Sequence, residues 1–304
     1  MVPDDLDRAY AHCAELTAEH GRTYNLATRL LPAPRRRAVH ALYGYARHVD
    51  DIVDVTAVDD PAGALLGVDD AHVRLRAALA GDPGPLDDIG LVVRALADTI
   101  HRYGIPVGHF DAFIRSMRMD VPGTPEFRPH YRDMAELREY MYGSAAVIGL
   151  ELLPVFDVDD PAAAPAAAAL GEAFQLTNFI RDVGEDLGRG RLYIPLELWS
   201  AFGVDVDLLQ EGRRTGIADR RVRRALAHAV ALTRAEYRKA EPGLRLLPES
   251  IRPGIRTAFV LYGRILDEVE RSDFRVFDRR ASVPRRTRAA VALTEYVTGT
   301  VRRR

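Results

Sequence analysis

Apolar residues recur at three- and four-residue spacing in segment after segment, and no window shows sustained β alternation bounded by turns. The pattern predicts an all-α protein. Two of the predicted helices carry an unusual polar stripe. Behind an alanine-rich run at 162–170, Gln175, Asn178, Asp182 and Asp186 fall at offsets 0, 3, 7 and 11. At 3.6 residues per turn they share one helix face. Their neighbours Ala173, Phe174, Leu176, Phe179, Ile180 and Val183 are apolar or small, so the stripe borders surface that folds inward. Tyr43, Arg47, Asp50 and Asp54 repeat the arrangement at offsets 0, 4, 7 and 11, among Val39, Leu42, Val49, Ile52 and Val53. Carboxylates on buried helix faces are costly unless something pairs with them.

The remaining chain divides at its prolines and glycines. Residues 6–20 form a helix that the run 20–24 breaks. Pro32 and Pro34 start a long helix from about residue 35 to 55. Residues 59–67 suit a loop or short helix, 68–80 a helix, and 81–85 a break. Further helices are predicted over 86–103, 106–119, 134–155, 196–201, 219–240 and 251–272, with a loop at 120–129, a connector at 157–165 and a basic helical tail at 284–304. The 134–155 helix is small at its centre, Gly143 to Gly149, which favours close packing of another helix over contact with a ligand chain. No repeat of 30–50 residues suggests a solenoid. The two aspartate stripes lie about 130 residues apart yet suit one site, so residues 1–304 are expected to form a single domain.

Composition narrows the function classes. The 304 residues carry a formal net charge of −2, which disfavours a nucleic-acid binder tracking phosphates. A single cysteine, Cys13, permits neither an internal disulfide nor a thiolate cluster and fits a reducing cytoplasmic location. The N-terminus lacks a signal-peptide pattern, and no window reaches the eighteen or so apolar residues of a membrane span.

Oxygen ligands on two facing walls suit a hard cation. Mg²⁺ keeps part of its octahedral shell for water and ligand phosphates. Arg47 and Arg181 could add bidentate phosphate contacts, so the two stripes look built for a diphosphate. A di-iron bundle would want Glu-x-x-His pairs, and the chain has none. It also lacks a phosphate-cradling Gly-x-x-x-x-Gly-Lys and a complete dinucleotide fingerprint. What remains is a small organic diphosphate. Its departure as a leaving group generates a carbocation, which demands a closed apolar cavity. The rings of Tyr24, Tyr43, Tyr140 and Tyr262 could line one and favour a nearby cation.

The segment 175–186, followed by Leu187-Gly188-Arg189-Gly190-Arg191-Leu192-Tyr193-Ile194-Pro195, resembles the second signature of the squalene/phytoene synthases. Residues 43–54 resemble their first aspartate motif, and His20-Gly21-Arg22-Thr23-Tyr24 with Leu30-Leu31-Pro32 their N-terminal substrate segment. Residues 140–149 resemble their small-residue helix, and Tyr262 with Ile265 and Leu266 their late tyrosine helix. The segment Met141 to Ala146 departs from the more usual Tyr-Cys-x-x-x-Ala-Gly pattern and looks like the bacterial phytoene synthase variant.

The resemblance implies an isoprenoid-synthase-type helical bundle around a central cavity. It implies head-to-head condensation of two allylic prenyl diphosphates through a cyclopropylcarbinyl diphosphate. Geranylgeranyl diphosphate would give phytoene; farnesyl diphosphate, giving a C30 product, is the second choice. Asp50, Asp54, Asn178, Asp182 and Asp186 would hold Mg²⁺, with Mn²⁺ able to replace it. His20, Gly21, Arg22, Thr23, Tyr24, Gln175, Arg181, Tyr262 and Arg280 would bind substrate, with Arg47 on diphosphate and Tyr43 and Tyr140 lining the reaction cavity. Phytoene formation ends in proton loss and needs no NADPH. Product oiliness suggests peripheral membrane contact; nothing in the chain bears on oligomeric state. Two rivals stand beside this reading. Asp50-Asp51-Ile52-Val53-Asp54 satisfies the Asp-Asp-x-x-Asp of chain-elongating prenyltransferases and terpene cyclases, but the segment 182–186 is no second copy of it. An inactive lipid-binding or scaffolding helical protein would be expected to have lost one acidic pair.

Overall fold

A computed structural model describes residues 3–82 and 84–301. Helices succeed one another as α1 (Pro3–His20), α2 (Arg22–Thr28), α3 (Ala33–Asp51), α4 (Ala57–Asp59), α5 (Pro61–Leu79), α6 (Asp88–Tyr103), α7 (Gly108–Arg118) and α8 (Met134–Met141). They continue as α9 (Val147–Val155), α10 (Ala163–Arg181), α11 (Val183–Gly188), α12 (Leu196–Ala201), α13 (Val206–Thr215), α14 (Arg220–Ala240), α15 (Arg252–Arg271) and α16 (Arg285–Val301). Among the described residues the sole β feature is an isolated bridge between His130 and Leu192, and no helix is long and apolar enough to cross a membrane. The all-α expectation is met.

α10 is the central rod. It packs against α9, α14 and α15, while α1, α3 and α6 form a neighbouring layer that α5 and α7 extend. Close approach at the α9–α10 contact requires glycine on both sides. A Cβ at Gly149 would overlap the carbonyl oxygen of Ala167, and one at Gly171 would overlap that of Ala145. The small-residue centre of the 134–155 segment therefore serves helix packing, as its spacing predicted.

Three local departures from the periodic reading shape the site. The helix expected over 35–55 changes to a π turn over Ile52–Thr56, closed by the Ala57 N–H on the Ile52 carbonyl, so Asp54 stands on the widened turn. A second π turn, Tyr142–Ala146, joins α8 to α9; there the Ser116 hydroxyl donates to the Tyr140 carbonyl (2.8 Å). The stripe at 175–186 is not one unbroken helix, because Asp182 leaves helical angles (φ −104°, ψ 11°). The joint still carries Asp182 N–H to Asn178 O (2.8 Å) and Asp186 N–H to Asp182 O (2.9 Å), so the two carboxylates stay a turn apart. Elsewhere, 59–67 is not a loop: Asp60 caps α5 by accepting from the Gly63 N–H, and the helix runs on through Leu79. α13, capped by Asp205, escaped the periodic reading.

Candidate active site

The two aspartate stripes meet where the π turn after α3 approaches α11 and the chain that follows it. Asp54, on the π turn, accepts from Arg191 Nη1 (2.7 Å) and lies 3.5 Å from Arg189 Nη1. The same Arg189 nitrogen is 3.8 Å from Asp186. Carboxylates 132 residues apart thus face one another across a single guanidinium. Gly190 makes this possible. Its positive φ (73°) reverses the chain after α11 and returns the Arg191 N–H to the Asp186 carbonyl (2.9 Å).

Asp182 faces the other side of the same opening. Arg181 grips it at 2.7 and 2.5 Å, and Arg280, from the segment after α15, at 2.9 and 2.9 Å. Burial alone would raise the Asp182 carboxyl; the two guanidiniums outweigh that and hold it below the usual carboxylate range. Asp186 goes the other way. Burial, then the charges of Asp182 and Asp54, push it well above that range. Asp50 is pushed up to about 7 by burial and by Asp54, and it has no hydrogen-bond or ion-pair partner among the described residues. Arg47 instead forks onto Asp51, a residue to which the sequence reading gave no role.

Tyrosines line the passage inward. Tyr43 stacks on Tyr24 with ring centroids 5.1 Å apart, and Tyr262 stacks on Phe174 at 4.2 Å. Burial raises both phenols, Tyr43 to about 12, so these hydroxyls stay protonated. Gly21 belongs here by contact: a Cβ would press on the Tyr43 ring at 3.2 Å. Beyond Tyr24 and Phe174 lies an apolar cavity walled by Leu31, Ile148, Leu152, Leu153, Phe156, Ala163, Ala166, Leu170, Leu244 and Leu247. From Phe174 back to Ala163 along α10 is about 16 Å at 1.5 Å per residue.

One expected position needs correction. Tyr140 does not line this cavity. It is 2% exposed, its hydroxyl donates to Asp120 (2.6 Å), and its ring sits in a cluster with Tyr131, Phe179 and Tyr193 behind the first aspartate motif. His20, on the last turn of α1, faces Glu19 at 3.7 Å. The side chains of Arg22 and Thr23, and residues 302–304 of the basic tail, lie outside the described residues. Gln175 meets Asn178, whose Nδ2 donates to Gln175 Oε1 at 3.4 Å.

The sequence reading missed Asp120 and gave Arg191 and Tyr193 no task. Asp120 also accepts from the Tyr193 hydroxyl (2.9 Å), while Arg191 Nη2 donates to the carbonyls of Val53 (2.9 Å) and Asp120 (3.1 Å). Burial raises the Asp120 carboxyl to about 6 against the opposing pull of Arg191 and the two tyrosines. Asp120 belongs to no helical stripe, since it opens the loop after α7; backbone bonds from the Leu192 N–H to Pro129 O (2.8 Å) and from the Leu196 N–H to Tyr131 O (2.9 Å) bring the end of that loop beside the chain after Arg191.

The donor set fits a hard divalent cation. Asn178 Oδ1 is buried without a hydrogen-bond partner, Asp50 is unpaired, and all the donors are oxygens. Among the described residues, however, no three acidic, histidine or cysteine side chains already close on one point. Arginines occupy the space between the carboxylates, so cation binding requires Arg189 and the Arg181–Arg280 pair to give way.

Comparison with known proteins agrees with this geometry. The family model described as squalene/phytoene synthase matches residues 17–287. Phytoene synthase of Arthrospira platensis is 34% identical over 297 residues, covering 93% of this chain and 91% of that protein. The 15-cis-phytoene synthase of Synechocystis sp. is 35% identical over 292 residues, covering 92% and 82%. Among solved structures, a dehydrosqualene synthase superposes with a TM-score of 0.84 at 25% identity, covering 97% of this chain and 98% of the other. The squalene synthase of Alicyclobacillus acidocaldarius gives 0.76 at 25% identity, covering 90% and 97%.

Proposed function

Because the chain belongs to the squalene/phytoene synthase family, we propose that its acidic cleft and apolar cavity together make it a 15-cis-phytoene synthase. It is a prenyltransferase that joins two prenyl diphosphates head to head and releases diphosphate. The substrate we assign is geranylgeranyl diphosphate. The observation that carries the reading is the meeting of Asp54 and Asp186 across Arg189, beside an apolar cavity whose Tyr24 and Phe174 stack on Tyr43 and Tyr262. C30 formation, as in the dehydrosqualene and squalene synthases with the same fold, is the second reading.

The residues divide the work as follows. Asp50, Asp54, Asn178, Asp182 and Asp186 would hold Mg²⁺, or Mn²⁺ in its place. When bound, the cation supplies Lewis-acid stabilisation of the departing diphosphate. Arg181 and Arg280, released from Asp182, are placed to take diphosphate oxygens in bidentate fashion, and Arg47 can do the same from Asp51. Gln175 supports Asn178. Loss of one diphosphate leaves an allylic cation that the second molecule captures. The resulting cyclopropylcarbinyl diphosphate ionises in turn, rearranges and loses a proton. Throughout, the faces of Tyr24, Tyr43 and Tyr262 meet the cationic carbons, and the aliphatic walls beyond them exclude water. Tyr140 acts from behind this cavity by holding Asp120.

Incubation with geranylgeranyl diphosphate and Mg²⁺ should give a C40 hydrocarbon in equal yield with and without NADPH, as read by mass analysis. A C30 product from farnesyl diphosphate in clear preference would move the chain to the second reading. Such a product is insoluble in water, so we place the protein at a membrane surface during release, with the basic helix α16 as contact. Co-sedimentation with anionic liposomes should therefore exceed that with neutral ones, and equal recovery in the supernatant would refute it.

A further inference from the structure

We infer that Asp120 is a positioning residue that shares the charge of Arg191, and so leaves Asp54 a net negative group able to take a divalent cation. The inference rests on the reading of the carboxylates as metal ligands.

Arg191 is itself buried, and each of its edges is committed. Nη1 donates to Asp54 (2.7 Å), Nη2 to the carbonyls of Val53 and Asp120 (2.9 and 3.1 Å), and Nε points at the Asp120 carboxylate (3.9 Å). One buried cation therefore stands between two carboxylates. Were Asp120 neutral, Arg191 and Asp54 would form a closed ion pair, and a metal ion would have to compete with a desolvated guanidinium for the same oxygens. With Asp120 ionised, the triad keeps one negative charge in excess, and it lies on the side that opens to the cleft. Asp54 is 37% exposed at its side chain, Asp120 only 3%.

Asp120 is also fixed from the far side. The Tyr140 and Tyr193 hydroxyls donate to its two oxygens at 2.6 and 2.9 Å, which prevents it from swinging to make a bidentate pair with Arg191. The other cation close to Asp54 is Arg189, at 3.5 Å, which Asp186 shares at 3.8 Å. Arg189 and Arg191 are thus each divided between two acids, and the three carboxylates of Asp54, Asp120 and Asp186 outnumber the two guanidiniums between them.

Mn²⁺ binding to the full-length protein, followed by electron paramagnetic resonance with inorganic diphosphate present, tests this apart from turnover. Asp120→Asn removes the charge at nearly constant shape: its Oδ1 still accepts from one tyrosine hydroxyl, and its Nδ2 donates to the other once that hydroxyl turns. Its Mn²⁺ dissociation constant should rise about three- to tenfold. The double variant Asp120→Asn, Arg191→Gln removes anion and cation together and should return to within about twofold of the wild type. The Mg²⁺ concentration for half-maximal turnover should move in parallel, while kcat at saturating Mg²⁺ changes less. Wild-type affinity in Asp120→Asn, or no recovery in the double variant, overturns the inference. If Asp120→Asn alone does not fold, the double variant decides: affinity near the wild type supports charge sharing, and a loss beyond tenfold overturns it. Failure of every protein, wild type included, to bind Mn²⁺ would instead sink the metal reading, and this inference with it.

Discussion

Asp50→Asn should reduce turnover about a thousandfold or more while leaving the metal-free protein at least as stable as the wild type. The two effects have one cause. Asp50 is held among carboxylates with no partner of its own, and its carboxyl is pushed up to about 7 by burial and by Asp54. That environment suits a cation ligand and burdens the chain without one. The sign with pH follows from linkage. A carboxyl whose folded pKa lies above its unfolded value binds more protons in the folded state between the two. Stability of the metal-free protein therefore falls as pH rises from about 3.8 to about 7, then levels off. Asp50→Asn removes that contribution to the fall. Asp182→Ala should silence the enzyme equally but lower stability by on the order of 1–3 kcal/mol, and the melting point with it, because Arg181 and Arg280 lose the carboxylate they share. Melting curves across pH beside a turnover assay distinguish the two variants. Loss of stability in Asp50→Asn, or turnover within tenfold of the wild type in either, would contradict the assignment.

Ala163→Phe is expected to change which product is made. Ala163 lines the cavity at the start of α10, the end remote from Asp182, in a wall that also holds Phe156 and Leu244. A ring there shortens the bore without touching Asp50, Asp54, Asp182 or Asp186. A C20 chain reaching that depth should lose about 10- to 100-fold in kcat/KM, and a C15 chain markedly less, so the hydrocarbon shifts toward C30. Overpacking the wall should cost about 1–3 kcal/mol in stability. Equal loss for both substrates would place the distal end of the chain elsewhere.

These expectations rest on features of unequal legibility. The stripes at 43–54 and 175–186 were visible because helical periodicity turns spacing into a shared face. Their convergence followed from the cost of buried carboxylates, and Arg189 between Asp54 and Asp186 bears it out in geometry. Periodicity could not reveal the π turns at Ile52–Thr56 and Tyr142–Ala146, since one inserted residue leaves the composition unchanged. Tyr140 was assigned to the cavity because its motif sits in the right place; its side chain turns to Asp120, a lone acid in a proline-bearing loop with no periodic partner. Nor does sequence disclose which arginines pair with which acids. Arg47 pairs with Asp51 one turn on at i,i+4, off the stripe that holds Asp50 and Asp54, and Arg181 with its own neighbour Asp182, a contact that depends on side-chain reach.

The central claim is that acids from two distant helices hold divalent metal against a diphosphate. Anomalous diffraction from crystals grown with Mn²⁺ and inorganic diphosphate tests it most directly. Manganese peaks are expected within ligand distance of both Asp50 or Asp54 and of Asn178, Asp182 or Asp186, with diphosphate between them and Arg181 and Arg280 turned onto its oxygens. Diphosphate bound in the cleft with no manganese beside it, or manganese bound away from these carboxylates, would contradict the account.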